Sequence, residues 1–327
     1  MHKIEDLQKL ISEEIQHEIS RLNTLEPKHL YEPIAYTLDM GGKRLRPVMV
    51  LLACNMFSSK IEKAIPAALA IEVFHNFTLL HDDIMDQADM RRNLPTVHKQ
   101  YNSNIAILSG DAMSIMAYNY LQKSESQNLS DMFQLFSQTA LEVCEGQQLD
   151  MDFETRTDVL IPQYLEMIRR KTAVLLACSL KLGALSAGVS GKITNQLYDF
   201  GINLGIAFQL QDDLLDVFAN QQKFGKMIGN DIVSNKKTFL LLKALELADD
   251  SIKRELLDWI GKKEFNSEEK IKAIQSIYNT LDIKNITSDN IEAYYQSALN
   301  IWKEMDCLPE TKAELLQLAQ MIMERDH

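Results

Sequence analysis

Between Ala64 and Leu80 the chain carries one formally charged side chain, Glu72, and residues 62–86 read as a helix apolar on nearly every face. A helix of that kind cannot lie on a surface. It has to be enclosed, so other elements must pack around it. The supply of turn residues says which elements. The 327 residues include only 12 glycines and 7 prolines, about half the usual share, whereas a β-rich chain of this length needs many tight turns. Long helices with few connections follow.

Helical spacing is visible through most of the rest. Ile4, Leu7, Leu10, Ile11 and Ile15 form one apolar stripe, and Tyr31, Ile34, Ala35 and Leu38 form another, closed by Gly41-Gly42. Pro47 suits the first turn of a further helix running toward Phe57. A polar stretch at 89–95 reads as a loop, and helices are predicted near 106–123, 129–152, 162–183, 192–220 and 232–248. No low-complexity tract, Ser/Gly linker or strand alternation is present. The expected architecture is all-α, a single domain over residues 1–327.

A net charge of −12 argues against a nucleic-acid binder, which normally carries a basic stripe. Cys54, Cys144, Cys178 and Cys307 lie far apart without CxxC spacing, so neither a cysteine zinc site nor a disulfide framework is expected. The opening MHKIEDLQKLISEE is a charged amphipathic helix, unlike a secretory or transit peptide, and no uninterrupted apolar run reaches the length of a membrane span. The reading is a cytoplasmic protein without an integral membrane segment.

The apolar segment ends in an unexpected way. Asp82, Asp83 and Asp86 arrive together at its end, and "FTLLHDDIMD" (77–86) is echoed 130 residues later by "AFQLQDDLLD" (207–216). In DDxxD the first and last acids are i and i+4, so Asp82 and Asp86 share a helical face, as do Asp212 and Asp216. Such like-charge pairs are mildly unfavourable alone. With hard divalent cations they become useful, because magnesium takes oxygen ligands and commonly binds one or two carboxylates plus substrate phosphates. Two such faces opposed in a helix bundle would hold a diphosphate through metal ions.

Cations accompany both motifs. "GGKRLRP" (41–47) places Lys43, Arg44 and Arg46 after a glycine pair at a helix start, a combination suited to a phosphate. Arg91-Arg92 lies just beyond the first acidic motif, "RRKT" (169–172) is on a predicted helix, and "FGKMIGNDIVSNKKT" (224–238) follows the second motif with Lys226, Lys236 and Lys237. Any one basic pair is ordinarily a solvated surface feature; the constellation is not.

With GGKRLRP, HDDIMDQADMRR, the SGD of 109–111, RRKT, FQLQDDLLD, FGK and NDIVSNKKT in this order, the chain resembles the trans-isoprenyl diphosphate synthases of the polyprenyl synthetase family over essentially its whole length. That resemblance implies an isoprenoid-synthase-type helical bundle around a deep central cavity, usually a homodimer. It implies head-to-tail condensation of isopentenyl diphosphate with an allylic diphosphate (dimethylallyl, geranyl or farnesyl), assisted by three magnesium ions for which manganese can substitute. By the same resemblance Asp82 and Asp86 hold two ions, and Asp212 the third with Asp216 through water. Arg91, Lys171, Lys226 and Lys236 grip the allylic diphosphate, while Lys43, Arg46, His75 and Arg92 receive isopentenyl diphosphate. Thr172 and Gln209 match polar groups near the developing carbocation, and Asp83 and Asp213 support and orient. A lone histidine in an apolar helix is ordinarily a satisfied core residue; the match to the family pocket favours ligand contact for His75. His81 is a further neighbour of the acids without an assigned part.

Chain length is expected from the residues one turn before the first motif. In the family, bulk there blocks elongation; Phe77 with the small Thr78 beside it resembles enzymes that stop near twenty carbons, at geranylgeranyl diphosphate, with farnesyl diphosphate the alternative. Met113 and Met116 are candidates for the cavity floor or the dimer contact. Two rivals stand beside this reading. A class I terpene cyclase would have one DDxxD and no pocket for a second diphosphate, and a non-catalytic partner subunit could dispense with an acidic motif.

Overall fold

The structure, a computed structural model, describes residues 2–218 and 229–324. Helices dominate it, and among the described residues the single strand pair is a two-residue hairpin. The chain divides into two compact units: Met1–Ser137 with Cys178–Asn195 and Asp306–Leu316, and Gln138–Ala177 with Gln196–Met305 and Gln317–His327. Neither unit is one continuous stretch of chain, so no linker composition could mark a boundary.

In the first unit α1 (Ile4–Leu22), α2 (Lys28–Asp39), α3 (Leu45–Asn55) and α6 (Ser103–Leu121) all pack against α4 (Ile65–Met85). Pro66 sits in the first turn of α4, where its missing N–H costs nothing. Ala67, Ala68 and Ala70 allow close approach, and Leu69, Ile71, Val73, Phe74 and Leu80 fill the core. By length and composition Ile61–Met85 could cross a membrane, but 61% of its most apolar window is buried inside the protein, as in a core helix. Most of the predicted stripes are buried, Ile4, Leu7, Ile11 and Ile15 on α1 and Ile34, Ala35 and Leu38 on α2, whereas Leu10 and Tyr31 are half-buried. Gly41 and Gly42, at φ 80° and 131°, end α2 as expected. The buried Glu314 ties the chain's start to its end, accepting the Ile4 N–H at 3.2 Å and pairing with Lys3 at 2.5 Å.

The one charge in the apolar run has a partner. Glu72 (side chain 3% exposed) pairs with Arg44 (9%), whose guanidinium also donates to the Leu38 carbonyl, and Asn76 donates to the same carboxylate at 2.9 Å. Arg44 is thus a structural cation inside GGKRLRP, not one directed at a phosphate. Its backbone, at φ 49°, turns the chain into α3.

The segment at 89–95, expected as a loop, holds the hairpin of β1 (Met90–Arg91) and β2 (Leu94–Pro95), with Met90 opposite Pro95 and Arg91 opposite Leu94. Arg92 and Asn93 occupy its two-residue turn at φ 52° and 63°, the left-handed pair that matches strand twist. A short helix, α5 (Val97–Gln100), follows, and Asn102 caps α6 by accepting the Ile105 N–H at 2.9 Å.

In the second unit the predicted 162–183 helix is interrupted. α8 (Ile161–Ile168) runs into a π-turn at Arg169–Ala173 before α9 (Val174–Ser186) resumes. Two glycines make room for that turn. A Cβ on Gly146 of α7 (Leu129–Thr155) would fall 2.3 Å from the Lys171 nitrogen, and one on Gly205 of α10 (Lys192–Phe218) would fall 2.6 Å from the Ala173 Cα. The predicted 232–248 helix is also broken, into Asn230–Val233 and Phe239–Leu247. Asn235 lies at φ 56° between them, and Thr238 caps the second piece.

Candidate active site

The first acidic motif closes α4. Asp82 is half-buried, Asp83 buried and Asp86 exposed as the C-cap residue, its N–H donating to the Asp82 carbonyl at 2.8 Å. Asp86 keeps right-handed dihedrals, so Asp82 and Asp86 stay on one face. No basic residue occupies the last turn of α4, and the helix dipole adds negative potential at this end. Asp83 points elsewhere: its carboxylate accepts from the Arg91 Nε at 2.7 Å. That contact anchors Arg91 at the motif's edge with its guanidinium partly exposed.

One guanidinium contacts His75, and the charges of three more act on its ring. Arg46 donates to His75 Nε2 at 3.3 Å, which leaves the proton of the neutral ring on Nδ1. Burial, together with Arg46, Arg92, Arg91 and Arg44, holds the imidazole well below its ordinary pKa. The Arg92 guanidinium lies over Gly42, 2.7 Å from where a Cβ would project, and donates to the Gly41 carbonyl. Burial and Arg44 push Arg92 downward as well. Lys43 is exposed at the same turn. Concentrated positive charge of this kind has a natural complement in a polyanion.

Phe77 lies one turn before the acids, half-buried, its ring 5.4 Å from Phe74 and 4.8 Å from the His81 imidazole. Behind Phe74 stand Phe136, at 5.3 Å, and Tyr118, 5.0 Å from Phe136. The Thr78 hydroxyl is engaged by the His75 carbonyl at 2.8 Å. His81 is bound to α6: its Nε2 lies 3.2 Å from the Ile107 carbonyl, and its ring covers Gly110, where a Cβ would come within 2.2 Å. The glycine of SGD therefore makes room for an imidazole. Met113 is buried in α6 and Met116 half-buried.

In the second unit Asp212 and Asp216 are half-buried and Asp213 is buried. The π-turn starts a hydrogen-bond chain: the Thr172 hydroxyl donates to Gln209 Oε1 at 3.0 Å, and Gln209 Nε2 donates to Asp213 at 3.0 Å. Tyr164 donates its hydroxyl to the other Asp213 oxygen. The Gln209 amide is therefore fixed in one orientation. Burial pushes Asp213 up to about 7, and burial with the nearby Asp231 charge pushes Asp216 to about 6. Lys171 pairs with Asp150 at 2.6 Å, and Lys236 reaches Asp231 at 4.0 Å. Asp231 in turn gives its backbone N–H to Asp216 Oδ2 at 3.0 Å. Lys226, predicted for the diphosphate, lies outside the described residues.

Among the described residues no three acidic, histidine or cysteine side chains converge tightly enough to cage a metal by themselves. The donors suit a hard divalent ion nonetheless. All are carboxylate oxygens, and burial with mutual repulsion around Asp216 and Asp231 disfavours their charge until a cation offsets it. Such a donor set fits an ion completed by water and substrate oxygens.

Residues 27–278 match the polyprenyl synthetase family. The chain belongs to that family. This polyprenyl synthetase is 40% identical over 311 residues to the geranylgeranyl diphosphate synthase of Methanosarcina mazei, covering 94% of this chain and 93% of that one. Its fold is the all-α isoprenoid synthase fold. A crystal structure of a geranylgeranyl pyrophosphate synthase superposes with a TM-score of 0.93 at 45% identity, covering 99% of each chain. The geranylgeranyl pyrophosphate synthetase of Pyrococcus horikoshii Ot3 gives 0.90 at 32% identity, covering 98% of this chain and 99% of that one.

Several side chains that contact the candidate residues had no assigned part in the sequence reading. Asp150, Tyr164 and Asp231 bind predicted residues directly, from positions 21, 49 and 15 removed from their partners. Asp231 sits inside NDIVSNKKT, so a motif pointed at it. Nothing local marks Asp150 or Tyr164.

Proposed function

We propose that this polyprenyl synthetase is a short-chain trans-prenyltransferase that condenses isopentenyl diphosphate with an allylic diphosphate and releases diphosphate, with geranylgeranyl diphosphate the main product. The observation that carries the reading is Arg46 against His75 and Arg92 over the Gly41-Gly42 turn, beside the Asp83–Arg91 pair at the first DDxxD. A cyclase, which ionises one diphosphate, has no use for a second anion pocket beside its acidic motif. A non-catalytic subunit has no need of two intact motifs.

In this reading Asp82 and Asp86 hold two magnesium ions and Asp212, with Asp216, a third. When bound, the ions neutralise charge gathering on the departing diphosphate. Arg91, Lys171, Lys236 and Lys226 share that load by gripping the allylic diphosphate, and Asp83 keeps Arg91 aimed. The C–O bond breaks to leave an allylic cation. Lys43, Arg46, Arg92 and neutral His75 hold isopentenyl diphosphate so that its double bond attacks the cation. The Gln209 carbonyl, fixed by Thr172 and Asp213, presents a negative dipole to the passing positive charge. The proton lost from the adduct goes to the released diphosphate. We place the enzyme in the cytoplasm, and as a homodimer whose contact the exposed apolar side chains Ile107, Leu108 and Ile115 on α6 support.

Purified protein incubated with magnesium, isopentenyl diphosphate and each allylic diphosphate in turn should yield a linear product near twenty carbons. No condensation with any starter would sink the reading; a cyclic hydrocarbon formed without isopentenyl diphosphate would support the cyclase. Phe77→Ala should shift the products toward longer chains on chromatography. Because Phe74, Phe136 and Tyr118 remain behind it, the expected extension is about one five-carbon unit rather than unlimited growth, one ring of space being opened. An unchanged distribution would remove Phe77 as the floor.

A further inference from the structure

Lys270 is completely buried, 0% exposed, in the first turn of the helix Ser267–Thr280. That location is unfavourable for an ammonium in two ways: it loses its water, and it faces the positive end of a helix dipole. Burial accordingly lowers its pKa. Among the described residues no carboxylate lies within ion-pair distance of it. Neutral groups hold it instead: Asn235 Oδ1 at 2.7 Å, the Val233 carbonyl at 3.3 Å and the face of the Phe265 ring, 4.2 Å from Nζ to the centroid. A leucine or methionine would fill the volume without those costs, so the amine is retained for what it binds.

What it binds is the turn that carries Lys236. Asn235 is the left-handed residue of that turn, and its side chain is held from both sides, accepting from Lys270 and donating to the Ile260 carbonyl at 3.2 Å. The next residue, Lys236, donates its N–H to the Asp231 carbonyl at 2.9 Å and brings its ammonium to 4.0 Å from the Asp231 carboxylate. The Asp231 N–H donates to Asp216, and Gly229 donates to the Asp216 carbonyl at 2.7 Å. A small, mostly apolar cavity behind the turn is lined by Val217, Ile232, Leu241 and Ile274 among others, and Asp231, Asn235, Lys236 and Lys270 reach its wall. Hydrogen bonds and the backbone of one left-handed turn therefore link a buried amine to a proposed diphosphate-binding lysine and, through Asp231, to the proposed metal-side Asp216.

We propose that Lys270 is a positioning residue: by clamping Asn235 it fixes the 231–238 turn and so sets Lys236 for the allylic diphosphate. This rests on the prenyltransferase reading given above. Removing the amine leaves the helices in place but lets the turn sample other conformations, so the effect falls on one substrate only.

The test compares the wild-type enzyme with Lys270→Met, which keeps the volume, Asn235→Gly, which keeps the left-handed backbone but loses the acceptor, and the double variant. Each should raise KM for the allylic diphosphate about tenfold with KM for isopentenyl diphosphate within about twofold of the parent. The double variant should be no worse than the poorer single one, because both substitutions cut the same link. A fall in kcat with both KM values unchanged, or additive losses in the double variant, would overturn the proposal and leave Lys270 a packing residue. If Lys270→Met fails to fold, Asn235→Gly still decides through the same split between the two KM values. Inactive wild-type protein would instead count against the prenyltransferase reading itself.

Discussion

Asp82→Ala lowers turnover about a thousandfold, the scale expected when one principal electrostatic group is taken from a charge-stabilising site, while its melting temperature stays at or above that of the parent. The two halves of this expectation share one cause. Asp82 and Asp86 are like charges at i and i+4 on the negative end of a helix whose last turn holds no basic residue. Repulsion within that pair opposes folding slightly, and divalent cations with a diphosphate reverse its sign. Alanine relieves the repulsion and adds helix propensity, so circular dichroism should show α4 intact. Steady-state assays with isopentenyl diphosphate and the preferred allylic starter read the loss, and a thermal melt without magnesium reads the stability. Asp83→Ala should behave in the opposite sense. It leaves the buried end of Arg91 without its carboxylate, so stability falls together with activity. A normal rate in Asp82→Ala would remove this face from the site.

The parts of the molecule legible from sequence are those whose physics is local. A 3.6-residue period marks a helix wherever it packs, so α2, α4 and α6 were predictable to within a few residues, and α1 was marked by its stripe although it runs on to Leu22. DDxxD is legible for the same reason, since two carboxylates four residues apart must share a face. Interruptions of helices were not legible. The π-turn at Arg169–Ala173 keeps the apolar residues in order and is stabilised by Gly146 and Gly205, which lie far off in the chain. The hairpin at 90–95 uses Arg-Asn in its turn instead of the usual Asn-Gly, so its signal was weak.

Partnerships between distant side chains were hidden altogether. GGKRLRP reads as one basic cluster, yet its residues divide: Arg46 meets His75, whereas Arg44 turns inward to Glu72. RRKT divides likewise. Arg169 and Arg170 pair with Glu166 and with Glu142 and Glu145, Lys171 pairs with Asp150, and the Thr172 hydroxyl orients Gln209. Residue type predicts that a cation will find an anion. Which one, and whether the pair serves folding or catalysis, depends on contacts set by the tertiary structure.

Arg44→Met should destabilise the protein by about 3–5 kcal/mol, because it strands the Glu72 carboxylate in the centre of the first unit's core. Three groups depend on this guanidinium: Glu72 loses its counter-charge, the Leu38 carbonyl loses a donor, and the end of α2 loses its link to the start of α3. Asn76 still donates to Glu72, but a neutral amide cannot offset a buried charge. The double variant Arg44→Met, Glu72→Leu should recover most of the loss, since replacing both members of a buried pair with apolar groups of similar volume is often nearly neutral. Urea midpoints for the parent, both single variants and the double variant measure the coupling. Turnover measured on the folded fraction separates two roles for a residue that sequence places in a phosphate-binding motif. If Arg44 serves the fold alone, the double variant condenses isopentenyl diphosphate with an unchanged KM. A KM raised tenfold in a fully folded double variant would instead assign the guanidinium to the substrate. The stranded-charge argument predicts the first result: nine-tenths of the Arg44 side chain is out of solvent, and its donors already meet Glu72 and Leu38.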